Sequence, residues 1–450
     1  MFESSRSGGL QQQAGSIFAS SYSAISPIRI VTLAVLVALS MTLGPRAQAD
    51  SPAGFALEDG DTLVFLGDSN TAGSKFAQIV ENYSLLRYPL RHVRFVNSGR
   101  GGDTAEGGAE RFQTDVVDKG ANHVFVMYGI NDICWGLCAT PEKLQDFYQG
   151  IIDIVMAAET AGITVHVASY PVTGSDPFVD GPLQEMGDTL EAIAIYLSAA
   201  GWDVHYIDVH GDTREIYQEI WTYNQGLSDN EQPIELHTDG IHLNKLGHEA
   251  VAFSVIKGMG GPAEVSSVSI GLSAAGPFIL ENEGASVTSL QGNANLLRFE
   301  RLDAGLPITF GLFSGLSTLR WVPYSTELNQ YMLEVRDLPS GRYSLEVEGR
   351  PVGTFSSETL RNGVNLSSQT GNAWQPGGPW DAQATSLTQI TQARRSLEVG
   401  VDLLRGYVPD NPNLGSIDFQ RAQTNERLEG LQRKFVSPTS YTYVLKRESE

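Results

Sequence analysis

Cysteine is almost missing from this chain: Cys134 and Cys138 are the only two in 450 positions. That scarcity excludes a disulfide-dense scaffold, and a zinc centre would need more ligands nearby than this pair has, so no metal is expected. Basic residues are scarce as well. Thirty Lys and Arg stand against 52 Asp and Glu, a formal net charge of -22, and such a field repels phosphate backbones and anionic lipid surfaces. No nucleic-acid partner is expected. A membrane-length apolar run is also lacking where one would be sought: Ile30 to Leu43 covers 14 positions, short of the roughly 20 that a spanning helix needs.

That run follows Arg29 and leads to Pro45 and the small-residue pattern Ala47-Gln48-Ala49, the layout of a secretory leader. Cleavage near Ala49 is expected, giving an exported periplasmic or extracellular protein with no membrane span after processing. The long stretch before Arg29 is either an extended leader or the product of a misplaced start codon. In an oxidising compartment Cys134 and Cys138 can be joined across Trp135-Gly136-Leu137; the alternative is two packed thiols.

A chain of 450 residues exceeds one ordinary core, so several units are expected. Strand-like runs at Thr62–Leu66, Val93–Asn97, His123–Tyr128, Thr164–Ser169 and Asp203–Asp208 alternate with amphipathic stretches, the pattern of a parallel sheet covered on both faces by helices. Pro141 to Ala161 is the clearest helix, with a Thr140 cap and Gly162 as its stop. Breakers at Gly258, Gly260, Gly261 and Pro262 mark a boundary. The division is a leader at 1–49, an α/β domain at 50–260, a β-rich accessory module at 261–370 and a helical C-terminal region at 371–450. Within the module, Tyr331–Val335 and Arg342–Val347 read as a hairpin, followed by a third strand at Val352–Ser356. Two helices are expected at 381–404 and 417–435.

Four short motifs carry chemistry, the first three each just after an expected strand and the fourth in a turn that precedes the last helix of the domain: Gly67-Asp68-Ser69-Asn70, Gly99-Arg100-Gly101-Gly102-Asp103-Thr104, Gly129-Ile130-Asn131-Asp132 and Asp239-Gly240-Ile241-His242. Open α/β sheets bind ligands at that edge. Taken singly, each is also ordinary turn chemistry.

Together and in this order they resemble the SGNH hydrolases, the GDSL-like esterases, over roughly residues 61 to 258. The resemblance implies a three-layer α/β/α flavodoxin-like domain with about five parallel strands. It also implies Ser69 as nucleophile, His242 as base and Asp239 as the group that orients it. The Ser69 and Gly102 backbone N–H groups and the Asn131 amide would then form the oxyanion hole. A serine hydroxyl needs such a base, and the base a third group to fix its tautomer. The first motif departs from the longer family pattern at Asn70, where Leu or Ile is frequent. No cofactor is implied.

Asn70, Thr71 and Trp135 are expected at the pocket entrance, Trp135 as a wall or a platform for a sugar ring. Asp68 and Asp132 are expected to bind local backbone N–H groups, and His210, His237 and His248 to be packed or surface residues. The family acts on acetylated polysaccharides, lipids and small esters, so the substrate is read from context. Export and the β module favour O-acetyl removal from carbohydrate, with a broad short-chain or lipase-like esterase as the alternative. A non-catalytic polysaccharide-binding or envelope-associated protein is the reading of another class. Tyr331, Tyr343, Trp321, Trp374 and Trp380 in the later regions are either a sugar-binding face or core.

Overall fold

The computed structural model describes residues 54–174, 177–369 and 377–449; the leader expected at 1–49 lies outside them. Five strands form the first sheet: β1 (Thr62–Gly67), β2 (Arg94–Gly99), β3 (His123–Met127), β4 (Thr164–Ala168) and β5 (Val204–Ile207). All are parallel, in the order β2-β1-β3-β4-β5, a doubly wound arrangement. Interior β1 is buried along its whole length, as its uninterrupted apolar sequence requires when helices cover both faces.

The helices that matter for the site are α1 (Ser69–Ala72), α2 (Lys75–Arg87), α3 (Ala105–Glu110), α4 (Pro141–Ala161), α5 (Pro177–Ala199), α6 (Val209–Asn224) and α7 (Lys245–Gly258). α7 packs between α2 and α6, and α3 packs on α4, which gives the three layers. Phe65 of β1, Phe76 of α2 and Phe125 of β3 meet with ring centroids 5.7 to 5.8 Å apart, locking sheet to helix with aromatic area. α4 begins and ends as its sequence dictates, with the Thr140 hydroxyl accepting from Lys143 N–H and Gly162 turning left-handed at φ 68°.

Beyond α7 two antiparallel-rich sheets follow. One has the order β13-β10-β6-β7 and the other β12-β11-β14-β9-β8. Their strands are β6 (Glu264–Ser273), β7 (Gly276–Glu283), β8 (Ala285–Asn293), β9 (Leu296–Asp303), β10 (Gln330–Val335), β11 (Arg342–Val347), β12 (Arg350–Ser356), β13 (Val364–Asn365) and β14 (Tyr441–Arg447). The expected hairpin between β10 and β11 is not formed. β10 pairs with β6 and β13, while β11 pairs with β12 and β14. Alternation of buried and less buried positions in both strands identifies a covered face but not a partner, and the two covered faces meet across the sheets. Tyr331 of β10 and Tyr443 of β14 bond hydroxyl to hydroxyl at 2.7 Å, and Arg301 lies fully buried beside them against Asp303 at 2.8 Å.

Helix α8 (Leu312–Trp321) lies against α6 and α7. The C-terminal part contains α9 (Pro379–Tyr407) and α10 (Leu414–Phe435), as the periodicity indicates, but then returns as β14 into the middle of a sheet. Tyr331, Tyr343 and Trp380 are no more than 1% exposed and Trp321 is 7% exposed; these aromatics are core rather than a sugar-binding face. Trp374 lies outside the described residues. Among the described residues no helix is long and apolar enough to cross a membrane.

Candidate active site

β1 delivers the chain to Gly67, and Asp68 caps the single turn of α1 by accepting the Asn70 N–H at 2.9 Å. Ser69 therefore occupies the first helical position at the carboxyl edge of the sheet. Gly99, at the end of β2, allows that turn to sit close: a Cβ there would lie 2.2 Å from the Ala72 nitrogen.

Between strand and helix the chain brings Ser69 to residues 173 positions away. Ser69 Oγ lies 3.1 Å from His242 Nε2, and His242 Nδ1 lies 2.7 Å from Asp239 Oδ2. Asp239 Oδ1 also accepts the N–H groups of Ile241 at 3.1 Å and His242 at 2.7 Å. These bonds fix the loop as an Asx turn and point the imidazole at the serine. The hydrogen bond from His242, with its backbone N–H, holds the Asp239 carboxyl down at about 2, so it remains an acceptor.

Asn131 donates from Nδ2 to the Asp103 carbonyl at 2.9 Å and accepts at Oδ1 from the Trp135 indole N–H at 2.9 Å. Gly102 is left-handed at φ 74°, and no acceptor among the described residues meets its N–H. The loop that carries Gly102 is held from beneath by Arg111. Its guanidinium binds Asp103 Oδ2 at 2.6 and 2.8 Å, the Ser98 carbonyl at 2.6 Å and the Tyr128 hydroxyl at 2.8 Å. Sequence reasoning missed Arg111; its place four residues before Asp115, with which it pairs at 2.7 Å, was the available signal.

Trp135 stands at the mouth. It is 49% exposed and meets the His242 ring edge-to-face with centroids 5.9 Å apart. Cys134 and Cys138 are joined, closing the short loop that presents it. Asn70 and Thr71 do not line the entrance: they are 2% and 0% exposed. Asn70 faces inward from α1, donating to the Tyr170 hydroxyl at 2.7 Å and the Ile241 carbonyl at 3.3 Å and accepting Leu243 N–H at 3.0 Å. It is a strut between the Ser69 turn and the His242 loop.

Asp132 accepts Ala105 N–H at 2.9 Å. Burial pushes the Asp68 carboxyl up to about 6 and that of Asp132 to about 7. Three further histidines, His210, His237 and His248, are packed: His237 Nε2 donates to the Val172 carbonyl at 2.7 Å and His210 Nδ1 to the Tyr170 carbonyl at 3.0 Å, while His248 is 4% exposed. Among the described residues no group of three potential metal ligands occurs.

Residues 63–255 match the family model of the GDSL-like lipase/acylhydrolases. A 78-residue stretch is 36% identical to an uncharacterized lipoprotein, YqeF, of Bacillus subtilis, covering 16% of this chain and 32% of that protein, so the chain spans about a third of the length of the curated relative it matches. Among solved structures, BT4096, described as a gut microbial diltiazem-metabolizing enzyme, superposes with a TM-score of 0.71 at 20% identity over 90% of this chain and all of that one. It shares the fold of the sheet, the β-rich part and the tail together. Axe2, an acetylxylan esterase from Geobacillus stearothermophilus, aligns over 46% of this chain and 96% of its own, with a TM-score of 0.37 and 20% identity. Residues 63–255 belong to the GDSL-like lipase/acylhydrolase family, the SGNH hydrolases, and form an ester-bond hydrolase domain.

Proposed function

We propose that the protein is an exported serine esterase that removes small acyl groups, acetyl above all, from carbohydrate. The observation that carries the catalytic part is the unbroken chain from Ser69 Oγ through the His242 ring to Asp239, with links of 3.1 and 2.7 Å. His242 Nε2 takes the hydroxyl proton as Oγ attacks the ester carbonyl, and Asp239 holds the other ring nitrogen as the donor to itself. The oxyanion of the tetrahedral intermediate is received by the Ser69 and Gly102 N–H groups and by the second hydrogen of Asn131 Nδ2. Collapse expels the alcohol, which takes the proton from His242, and water then releases the acid from the acyl-enzyme by the same steps.

The carbohydrate preference rests on Trp135, an exposed aromatic face next to His242 of the kind that packs against sugar rings. The aromatics of the β-rich part no longer support it. Export rests on the Ala47-Gln48-Ala49 pattern behind the apolar run and agrees with a lipoprotein relative. Wild type hydrolyses p-nitrophenyl acetate and Ser69→Ala does not; equal rates overturn the enzyme reading. Acetate release from acetylated xylan exceeds hydrolysis of a long-chain p-nitrophenyl ester, and the reverse ranking favours the lipase-like alternative.

A further inference from the structure

A groove of about 800 Å³ lies apart from the catalytic cluster, between α2, α7, the 308–311 loop and the face of α9 from Thr385 to Leu403. Along α9 that face is about 27 Å long at 1.5 Å per residue. Neither Ser69 nor His242 lines it. Ile79, Ile308, Phe310, Val399 and Leu403 give it an apolar side, and Leu403 remains 55% exposed although it lies on a helix with a buried face. At one place the groove is bridged by Asn82 and Thr388, hydrogen-bonded at 3.4 Å.

Its charge runs against that of the molecule. In a chain of net charge -22, Lys75, Lys245 and Arg395 line the groove with one carboxylate, Glu249, and Arg395 is met by Glu398 at 3.3 Å. Glu249 is already paired with Lys245 at 2.7 Å and accepts the Thr318 hydroxyl at 2.5 Å. No carboxylate among the described residues pairs with Lys75. Both lysines are the first residue of their helices, the end at which the helix dipole disfavours a cation and at which anions bind. Ser74, which precedes Lys75, offers no side-chain cap. His248, 4% exposed and part of the lining, has a buried Nδ1 without a partner. A cation without a carboxylate partner at one helix start, Lys75, beside an elongated apolar wall fits a ligand with one anionic end and a long aliphatic body.

We propose that this groove binds a free alkyl carboxylate, the carboxylate at Lys75 and the chain against the apolar side. The test uses the full-length protein and the fluorescent fatty acid cis-parinarate. Saturable binding is expected, with dodecanoate displacing the probe about tenfold better than dodecanol and dodecyltrimethylammonium failing to displace it. Lys75→Glu, which suits a helix start and so preserves the fold, weakens dodecanoate about tenfold and leaves p-nitrophenyl acetate hydrolysis unchanged. Leu403→Glu, at an exposed position, weakens the probe itself. Ser69→Ala binds as wild type, so this result is independent of the esterase reading. Dodecanol matching dodecanoate, both variants binding as wild type, or absent probe binding with a dimer in sedimentation that Leu403→Glu dissolves would each overturn the proposal, the last assigning the groove to a second copy.

Discussion

An asparagine amide is nearly symmetric in shape, so only its hydrogen bonds decide which end points where. At Asn131 that choice is made by Trp135. An indole N–H donates and cannot accept, so it selects Oδ1 and leaves Nδ2 to face the Asp103 carbonyl, with its second hydrogen directed, in the mechanism proposed above, to the oxyanion. The loop reaches this pose at a cost: Cys134 and Trp135 are both left-handed, at φ 50° and 58°, which for non-glycine residues costs about 1 kcal/mol or more each. Closing the 134–138 loop with a disulfide holds the pose. Trp135→Phe keeps a ring beside His242 and removes the N–H, so kcat for p-nitrophenyl acetate is expected to fall about tenfold with little change in KM. Asn131→Ala, which removes a donor outright, falls about a hundredfold or more. An unchanged kcat in Trp135→Phe means that the indole does not position the amide. Three of the four motifs were legible because each is a local string at the end of an apolar run, and the fourth, Asp239 to His242, because it is a local string in the turn before α7. The strut Asn70 was not, because which way the second residue of a one-turn helix faces depends on Tyr170 and Leu243, distant in the chain.

Between elements, some of the contacts are made by polar and titratable groups taken out of water. α2 and α7 meet where the rings of Phe76 and His248 stack with centroids 6.2 Å apart. Burial, with Lys75 nearby, depresses His248 from the ordinary 6.5 to about 3, so the folded protein keeps the ring neutral. That contribution is complete above pH 6.5 and is lost as the pH falls toward 3. His248→Phe keeps the stack and removes an unpartnered nitrogen; urea melts at pH 4 should find it about 3 kcal/mol more stable relative to wild type than at pH 8. A pH-independent difference refutes this.

α9 meets α2 through a buried ion pair, Glu81 with Arg394 at 2.6 Å, tied to Gln432 of α10 at 2.8 and 2.9 Å. Arg394→Ala strands the Glu81 carboxylate and is expected to cost about 3 to 5 kcal/mol, whereas replacing both residues with leucine costs much less. Thermal unfolding of the three proteins decides it. Helix limits here were readable within a few residues from apolar spacing and caps. Pairings were not: nothing local in Tyr331–Val335 or Arg342–Val347 says that β6 and β14 are their partners, because alternation reports a face and not a neighbour.

Across the whole molecule, the α/β part was legible because its strands are short, central and uninterrupted, and its topology follows from few connection rules. The tail was read as helical, and its last strand went unseen although Tyr441, Tyr443 and Leu445 alternate toward one buried face. That strand lies in the interior of its sheet, between β11 and β9. Removing residues 441–450 would leave both neighbours as unpaired edges and would uncover Arg301, which is fully buried beside Tyr443. Ending the chain at Gly261 takes more: the Arg87 guanidinium, 6% exposed, loses the carbonyls of Pro262, Glu264 and Leu328 that it binds at 2.5 to 3.1 Å. Apolar surface uncovered on α7, where Phe253 meets Tyr324 with centroids 5.4 Å apart, and two open sheet edges both lead to aggregation. Both truncations are therefore expected to be insoluble even though the proposed catalytic residues end at His242. A soluble fragment 50–261 that unfolds cooperatively and hydrolyses p-nitrophenyl acetate would make the later strands and helices an independent accessory instead of part of the enzyme's own core.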